Sequence, residues 1–118
     1  MTGATRPQAW QPAATDVDGY GELVRVPDLS VGVYRIAAGG HDPQGPHTED
    51  EVYTVLSGRA LIELGDDRVP VRAGSVVFVP AGLPHRFVEI TERLCVVVAF
   101  GPAERSRAAG TCDGASRP

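Results

Sequence analysis

The chain has 118 residues, of which 42% are apolar and 22% charged, and a formal net charge of −4. That length favours one domain around one core. Acids and bases are interspersed without the basic patch of a nucleic-acid footprint, and the longest apolar run, residues 94–100, falls far short of the roughly 20 residues that span a bilayer.

Residues 1–14 are polar, carry Pro7, Pro12 and a single Trp10, and are expected to form a flexible arm. Trp10 is expected to lie on the surface, or to dock on a sheet or on a partner subunit. No apolar segment of secretory type follows Met1, so a cytoplasmic location is expected. A single domain is expected over residues 15–102. Within it, Gly and Pro punctuate short runs rich in Val, Leu, Ile, Tyr and Phe. These runs predict strands over 20–26, 30–37, 51–56, 59–64, 68–72, 75–79, 85–90 and 94–100, with a short extended piece around 45–47. Helical periodicity is absent. The class is therefore all-β, a sandwich or barrel with little helix.

Alternation supports the strands. Ala60, Ile62 and Leu64 share one face, Gly65-Asp66-Asp67 is turn chemistry, and Val69 and Val71 share a face on the return, so residues 59–72 read as a hairpin. Pro70 places the second strand at an edge. Cys95 sits in an apolar run and is expected to be a buried thiol; Cys112 falls in a small-residue tail, residues 103–118, expected to be flexible. No paired-cysteine spacing suggests a thiolate zinc site.

Only three histidines are present. His47 and Glu51 stand four apart, and His85 follows 34 residues later in Pro80-Ala81-Gly82-Leu83-Pro84-His85. Two imidazoles and one carboxylate at strand starts are the ligand chemistry of an open divalent-metal site. They leave up to three octahedral positions vacant, whereas a structural metal would be more fully enclosed.

The stretch from Gly39 through His47 and Glu51 to Gly58 resembles the first motif of the cupin superfamily, and Gly74, Pro80, Gly82 and His85 fall in register with the second. The resemblance covers about residues 20–101, with 15 residues between the motifs. Two departures stand out: Gly45 replaces the first histidine of the H-x-H pair, and Glu89 replaces the closing Asn. The resemblance implies a jelly-roll (double-stranded β-helix) barrel and one bound divalent metal, Fe2+ first, with Zn2+, Mn2+ or Ni2+ as alternatives. Gln44, between Pro43 and Pro46, is a candidate fourth ligand through its amide oxygen, and His41 is a weaker one. Glu49 and Asp50 are expected to be solvated.

If Glu51 points inward, Tyr53 and Val55 follow by alternation; if His85 points inward, Phe87 and Glu89 follow. Tyr34, Ile36, Phe78 and Phe100 would complete an apolar lining. Tyr53 could donate a hydrogen bond to substrate or act as an acid, or simply fill the core. Glu89 in such surroundings could act as a general acid or base; otherwise it pairs with Arg86 or Arg93 at the rim.

The function the resemblance implies is a metal-dependent enzyme acting on a small molecule, an Fe(II) dioxygenase before a non-redox isomerase, cyclase or lyase. A non-catalytic small-ligand-binding module is the other alternative. The resemblance also implies a homodimer that pairs edge strands. Nothing in the residues specifies the substrate.

Overall fold

The protein is described by a computed structural model over residues 6–11, 17–43 and 45–106. Six antiparallel strands form one sheet: β1 (Gly19–Val26), β2 (Leu29–Ile36), β3 (Asp50–Leu64), β4 (Asp67–Arg72), β5 (Val76–Val79) and β6 (His85–Gly101). The strand order is β1-β2-β6-β3-β4, with β5 also beside β3. The ladder does not close into a ring. Among the described residues no helix is present, and none is long and apolar enough to cross a membrane.

Two tight hairpins follow from turn chemistry. Val26 pairs with Leu29 around Pro27-Asp28, and Leu64 pairs with Asp67 around Gly65-Asp66, where Gly65 takes φ +60°. β4 lies at the edge of the sheet, where the missing N–H of Pro70 is tolerated.

The strands are fewer and longer than the sequence predicts. The expected strands 51–56 and 59–64 are one strand, β3, because Gly58 adopts φ +100° and carries the chain through an irregularity in the pairing with β6. A Cβ at this position would collide with the Arg93 carbonyl oxygen and Leu94 Cα. The expected strands 85–90 and 94–100 are likewise one strand, β6. Its partners jump from Leu61–Val88 to Arg59–Glu92, so β6 carries two extra residues in a bulge at 89–91. Residues 45–47 are not a strand.

Register places two apolar rows on the outer face of the sheet. Phe78, Val52, Ala99 and Val31 stand side by side across β5, β3, β6 and β2. Val76, Thr54, Val97 and Val33 form the next row. The opposite face holds the core, in which Tyr53, Val55, Ile62, Leu94, Val96, Val98 and Phe100 are all at most 1% exposed.

Three expectations are corrected here. Phe78 does not line the interior but points outward, 59% exposed, because it shares a face with Val76 rather than with Val79. Cys95 is half-buried rather than enclosed, since it alternates with the core residues Leu94 and Val96. The start of the expected tail is part of the fold. Ala103 and Glu104 are buried, the Glu104 N–H donates to Ser30 Oγ at 2.8 Å, and the Ala103 N–H donates to the Pro27 carbonyl at 3.3 Å.

Candidate metal centre

The site is built from the loop 37–49, the start of β3 and the start of β6. The loop is fastened to β6 at two points. The Gly39 N–H donates to the Ile90 carbonyl at 2.8 Å, and the Asp42 carboxylate accepts from the Phe87 N–H at 2.8 Å and from the Tyr34 hydroxyl at 2.6 Å. Further along, Glu49 accepts from the Arg105 N–H at 2.6 Å and from the Thr48 hydroxyl at 2.5 Å. Those anchors bracket His47. The β5–β6 turn meets the loop directly: the Gly82 N–H donates to the His47 carbonyl at 2.8 Å, and the Ala81 N–H to Asp50 Oδ1 at 2.9 Å. Gly82 makes this approach at φ +83°, a conformation that favours glycine.

These anchors bring His47, Glu51 and His85 together. One potential ligand atom from each lies within 4.8 Å of the others, and the three residues are 6%, 1% and 4% exposed. The His47 and His85 rings are 5.3 Å apart, and Phe100 packs edge-on against His47 at 5.2 Å.

The donor set fits a divalent cation. His85 Nδ1 lies 2.7 Å from the Leu83 carbonyl oxygen, which holds a proton on Nδ1 and leaves Nε2 as the inward lone pair. Nε2 is 2.9 Å from Glu51 Oε1, yet the alignment is not that of a hydrogen bond. Among the described residues neither Glu51 oxygen nor His85 Nε2 has a hydrogen-bond partner, although all three atoms are buried. A buried carboxylate without hydrogen bonds is costly, and a cation shared with two imidazoles removes that cost.

The site's electrostatics follow from burial and the carboxylate. Burial pushes the His47 pKa down, reinforced by His85 and opposed by Glu51 and Glu49. Burial works in the same direction on His85, but the contact with Glu51, its charge, the Leu83 carbonyl and Asp42 outweigh it and hold the pKa above the ordinary value.

The remaining candidates fall in different places. Tyr53 is fully buried, its ring 6.0 Å from His85 and edge-on to Phe87 at 4.8 Å. Glu89 is not in the interior. The bulge gives it φ +48° and turns it out to an exposed ion pair with Arg68 at 3.0 Å, rather than with Arg86 or Arg93. His41 is exposed in a shallow cleft of about 210 Å³ with Arg86 and Glu89, apart from the triad. Gln44 lies outside the described residues. Glu49 is 1% exposed rather than solvated, because the Arg105 N–H reaches it from the turn beyond β6. Sequence reasoning missed Asp42 altogether; an Asp before Pro43 in a Gly-rich loop reads as ordinary turn chemistry, and its partner lies 45 residues away.

A family model described as "Cupin domain" matches residues 32–101. An uncharacterized protein of Streptomyces coelicolor is 49% identical over 92 residues, covering 78% of this chain and 87% of the relative. An RmlC-like cupin family protein from Methanocaldococcus jannaschii has a similar structure, with a TM-score of 0.72 at 16% identity, covering 85% of this chain and 94% of that one. The cupin domain of Cnp3 from Schizosaccharomyces pombe also superposes with a TM-score of 0.72, at 15% identity over 80% of this chain and 68% of that one. The two motifs, the jelly-roll sheet and the converging triad agree with the family match: the chain belongs to the cupin family.

Proposed function

We propose that the protein is a metal-dependent enzyme acting on a small molecule, with His47, Glu51 and His85 holding one divalent cation. The carrying observation is the set of buried polar atoms on Glu51 and His85 that converge with His47 and have no hydrogen-bond partners among the described residues. Three ligands leave part of an octahedral coordination sphere to solvent and substrate. With Fe(II) bound, a two-histidine, one-carboxylate set supplies oxygenase chemistry, and an Fe(II) dioxygenase is the reading favoured here.

The chain's own residues support that chemistry in two ways. Phe100 and Phe87 keep the surroundings apolar, both at most 1% exposed. Tyr53, on the same face of β3 as Glu51 and with its ring 6.0 Å from His85, is in this reading the polar side chain that would meet a substrate beside the ligands. Glu89 has no part in this reading, since it faces away.

The test is anaerobic reconstitution with Fe(II), followed by oxygen uptake across a panel of chelating acids and phenols. Uptake with at least one compound, absent in Glu51→Ala, is the expected result. Turnover of a carbonyl or enol substrate by zinc-, manganese- or nickel-loaded protein, without oxygen consumption by the iron form, would move the assignment to a non-redox isomerase, cyclase or lyase.

A further inference from the structure

Arg35 differs from the arginines around it. Arg25, Arg59, Arg68, Arg86 and Arg93 each meet a carboxylate near the surface. Arg35, on β2, is 7% exposed, and its Nη2 is buried with no hydrogen-bond partner among the described residues. Buried cations are ordinarily paired, because an isolated one loses its hydration without compensation. This guanidinium is therefore a donor that lacks its anion.

Register gives its neighbours. On the outer face Arg35 stands between Gly19 of β1 and Cys95 of β6. A Cβ at Gly19 would meet nothing within 4 Å, so the Arg35 side chain does not lie over β1. On the other side it meets the Cys95 thiol, since paired side chains on adjacent strands start about 5 Å apart. Arg93, two residues before Cys95, is already matched by Asp18 at 3.0 Å. The thiol is also reachable. Cys95 is half-buried, and its register partner on β3 is Ser57, which is small and exposed.

We propose that Cys95 is a modification site for hydrogen peroxide, with Arg35 positioned to hold the oxygen that the sulfur gains. The thiolate sulfur attacks one peroxide oxygen. A sulfur–oxygen bond forms as the oxygen–oxygen bond breaks. The departing hydroxide takes the proton of the transferred oxygen and leaves as water. Sulfur is oxidised to a sulfenate and the peroxide is reduced.

The product supplies what Arg35 lacks. A sulfenate oxygen is an anionic acceptor, and a hydrogen bond between two charged groups is stronger than a neutral one. Oxidation thus satisfies a buried donor that the thiol leaves unpaired, and a small thiol reverses it through a mixed disulfide. Arg35 and Cys95 face away from the core, whereas His47, Glu51 and His85 converge inside it. The proposal therefore does not depend on the metal chemistry.

The test uses the full chain, metal-free, with Cys112→Ser so that Cys95 is the one thiol. Hydrogen peroxide is added with a cyclic 1,3-diketone, which traps sulfenates, and peptide mass spectrometry follows the adduct. The folded protein is expected to gain one diketone at Cys95, faster than the same chain unfolded in urea. Arg35→Met, which removes the donor and keeps the volume, should slow trapping by about tenfold, the worth of one charge-assisted hydrogen bond. Cys95→Asp, a fixed anion at the same place, gives a second reading. Its effect on the unfolding equilibrium should be about tenfold milder with Arg35 present than in Arg35→Met, a coupling that a merely structural arginine would not show. No adduct at Cys95, or slower trapping in the folded than in the unfolded chain, would overturn the proposal. So would trapping indifferent to Arg35, or additive effects of the two substitutions.

Discussion

The Asp42 carboxylate accepts the Phe87 N–H at 2.8 Å, joining two residues 45 apart in sequence. Its other oxygen takes the Tyr34 hydroxyl at 2.6 Å, and burial, followed by this bond and the carboxylate's charge, pushes the Tyr34 pKa far up. One side chain therefore ties the loop bearing His47 to the interior of β2 and to the strand bearing His85.

Asp42→Ala removes the acceptor from two buried donors at once. With a desolvation cost of about 1–3 kcal/mol for each orphaned group, the loss of stability should be about 3 kcal/mol. Asp42→Asn keeps one acceptor oxygen and should lose about half as much. Urea denaturation of the metal-free protein measures both. An Asp42→Ala variant within 1 kcal/mol of wild type, on the same principle of orphaned donors, would show that the loop is held by other contacts.

His47→Ala, Glu51→Ala and His85→Ala should each bring bound metal after dialysis to a small fraction of the wild-type content while leaving circular dichroism unchanged. His41→Ala should keep its metal, because His41 sits in the outer cleft and not with the triad. Elemental analysis decides. A loss in His41→Ala comparable to that in His47→Ala would require a different ligand set.

Glu51 is a stability liability in the metal-free protein, since both of its oxygens are buried without hydrogen bonds. Burying a carboxylate costs several kcal/mol, and the single contact with His85 Nε2 at 2.9 Å offsets only part of that cost. Glu51→Met should accordingly raise the metal-free stability, by about 1 kcal/mol, and abolish the rise in Tm expected of the wild type when metal is added. Thermal melts with and without metal test both parts. A Glu51→Met variant less stable than metal-free wild type would mean that the carboxylate braces the fold by itself.

Gly58 and Gly74 share a positive φ, +100° and +92°, but differ in what surrounds them. A Cβ at Gly58 would strike the backbone of Arg93 and Leu94, whereas one at Gly74 would meet nothing within 4 Å. Both alanine variants carry the backbone strain, of order 1–3 kcal/mol. Only Gly58→Ala adds a collision with β6, so it should be the less stable of the two by about 2 kcal/mol or more. Equal midpoints in urea would show that the β3–β6 contact yields without cost.

The strand content, the hairpin over residues 59–72 and the triad were legible in the sequence because each depends on local chemistry. Alternation, turn residues and the spacing of His47, Glu51 and His85 beside Gly and Pro leave short-range patterns. What went astray depended on partners far along the chain. Glu49 reads as a solvated acid until the Arg105 N–H arrives from beyond β6, 56 residues away. Phe78 reads as interior lining until pairing with Val52 fixes its row on the outer face.

The sequence alone determined that this is an all-β cupin and that two imidazoles and a carboxylate are available for a metal, although His47 stands in the loop before β3 rather than at a strand start. Only the tertiary structure decided which side chains share a space. A bulge of two extra residues in β6 turns Glu89 outward while His85 and Phe87 stay inward, and a further one-residue shift between Glu92 and Cys95 moves the inward row from odd to even positions, because a strand's side-chain period is two. Composition and spacing do not record such an insertion, because it is defined by the register against β3 and not by the residues of β6 themselves.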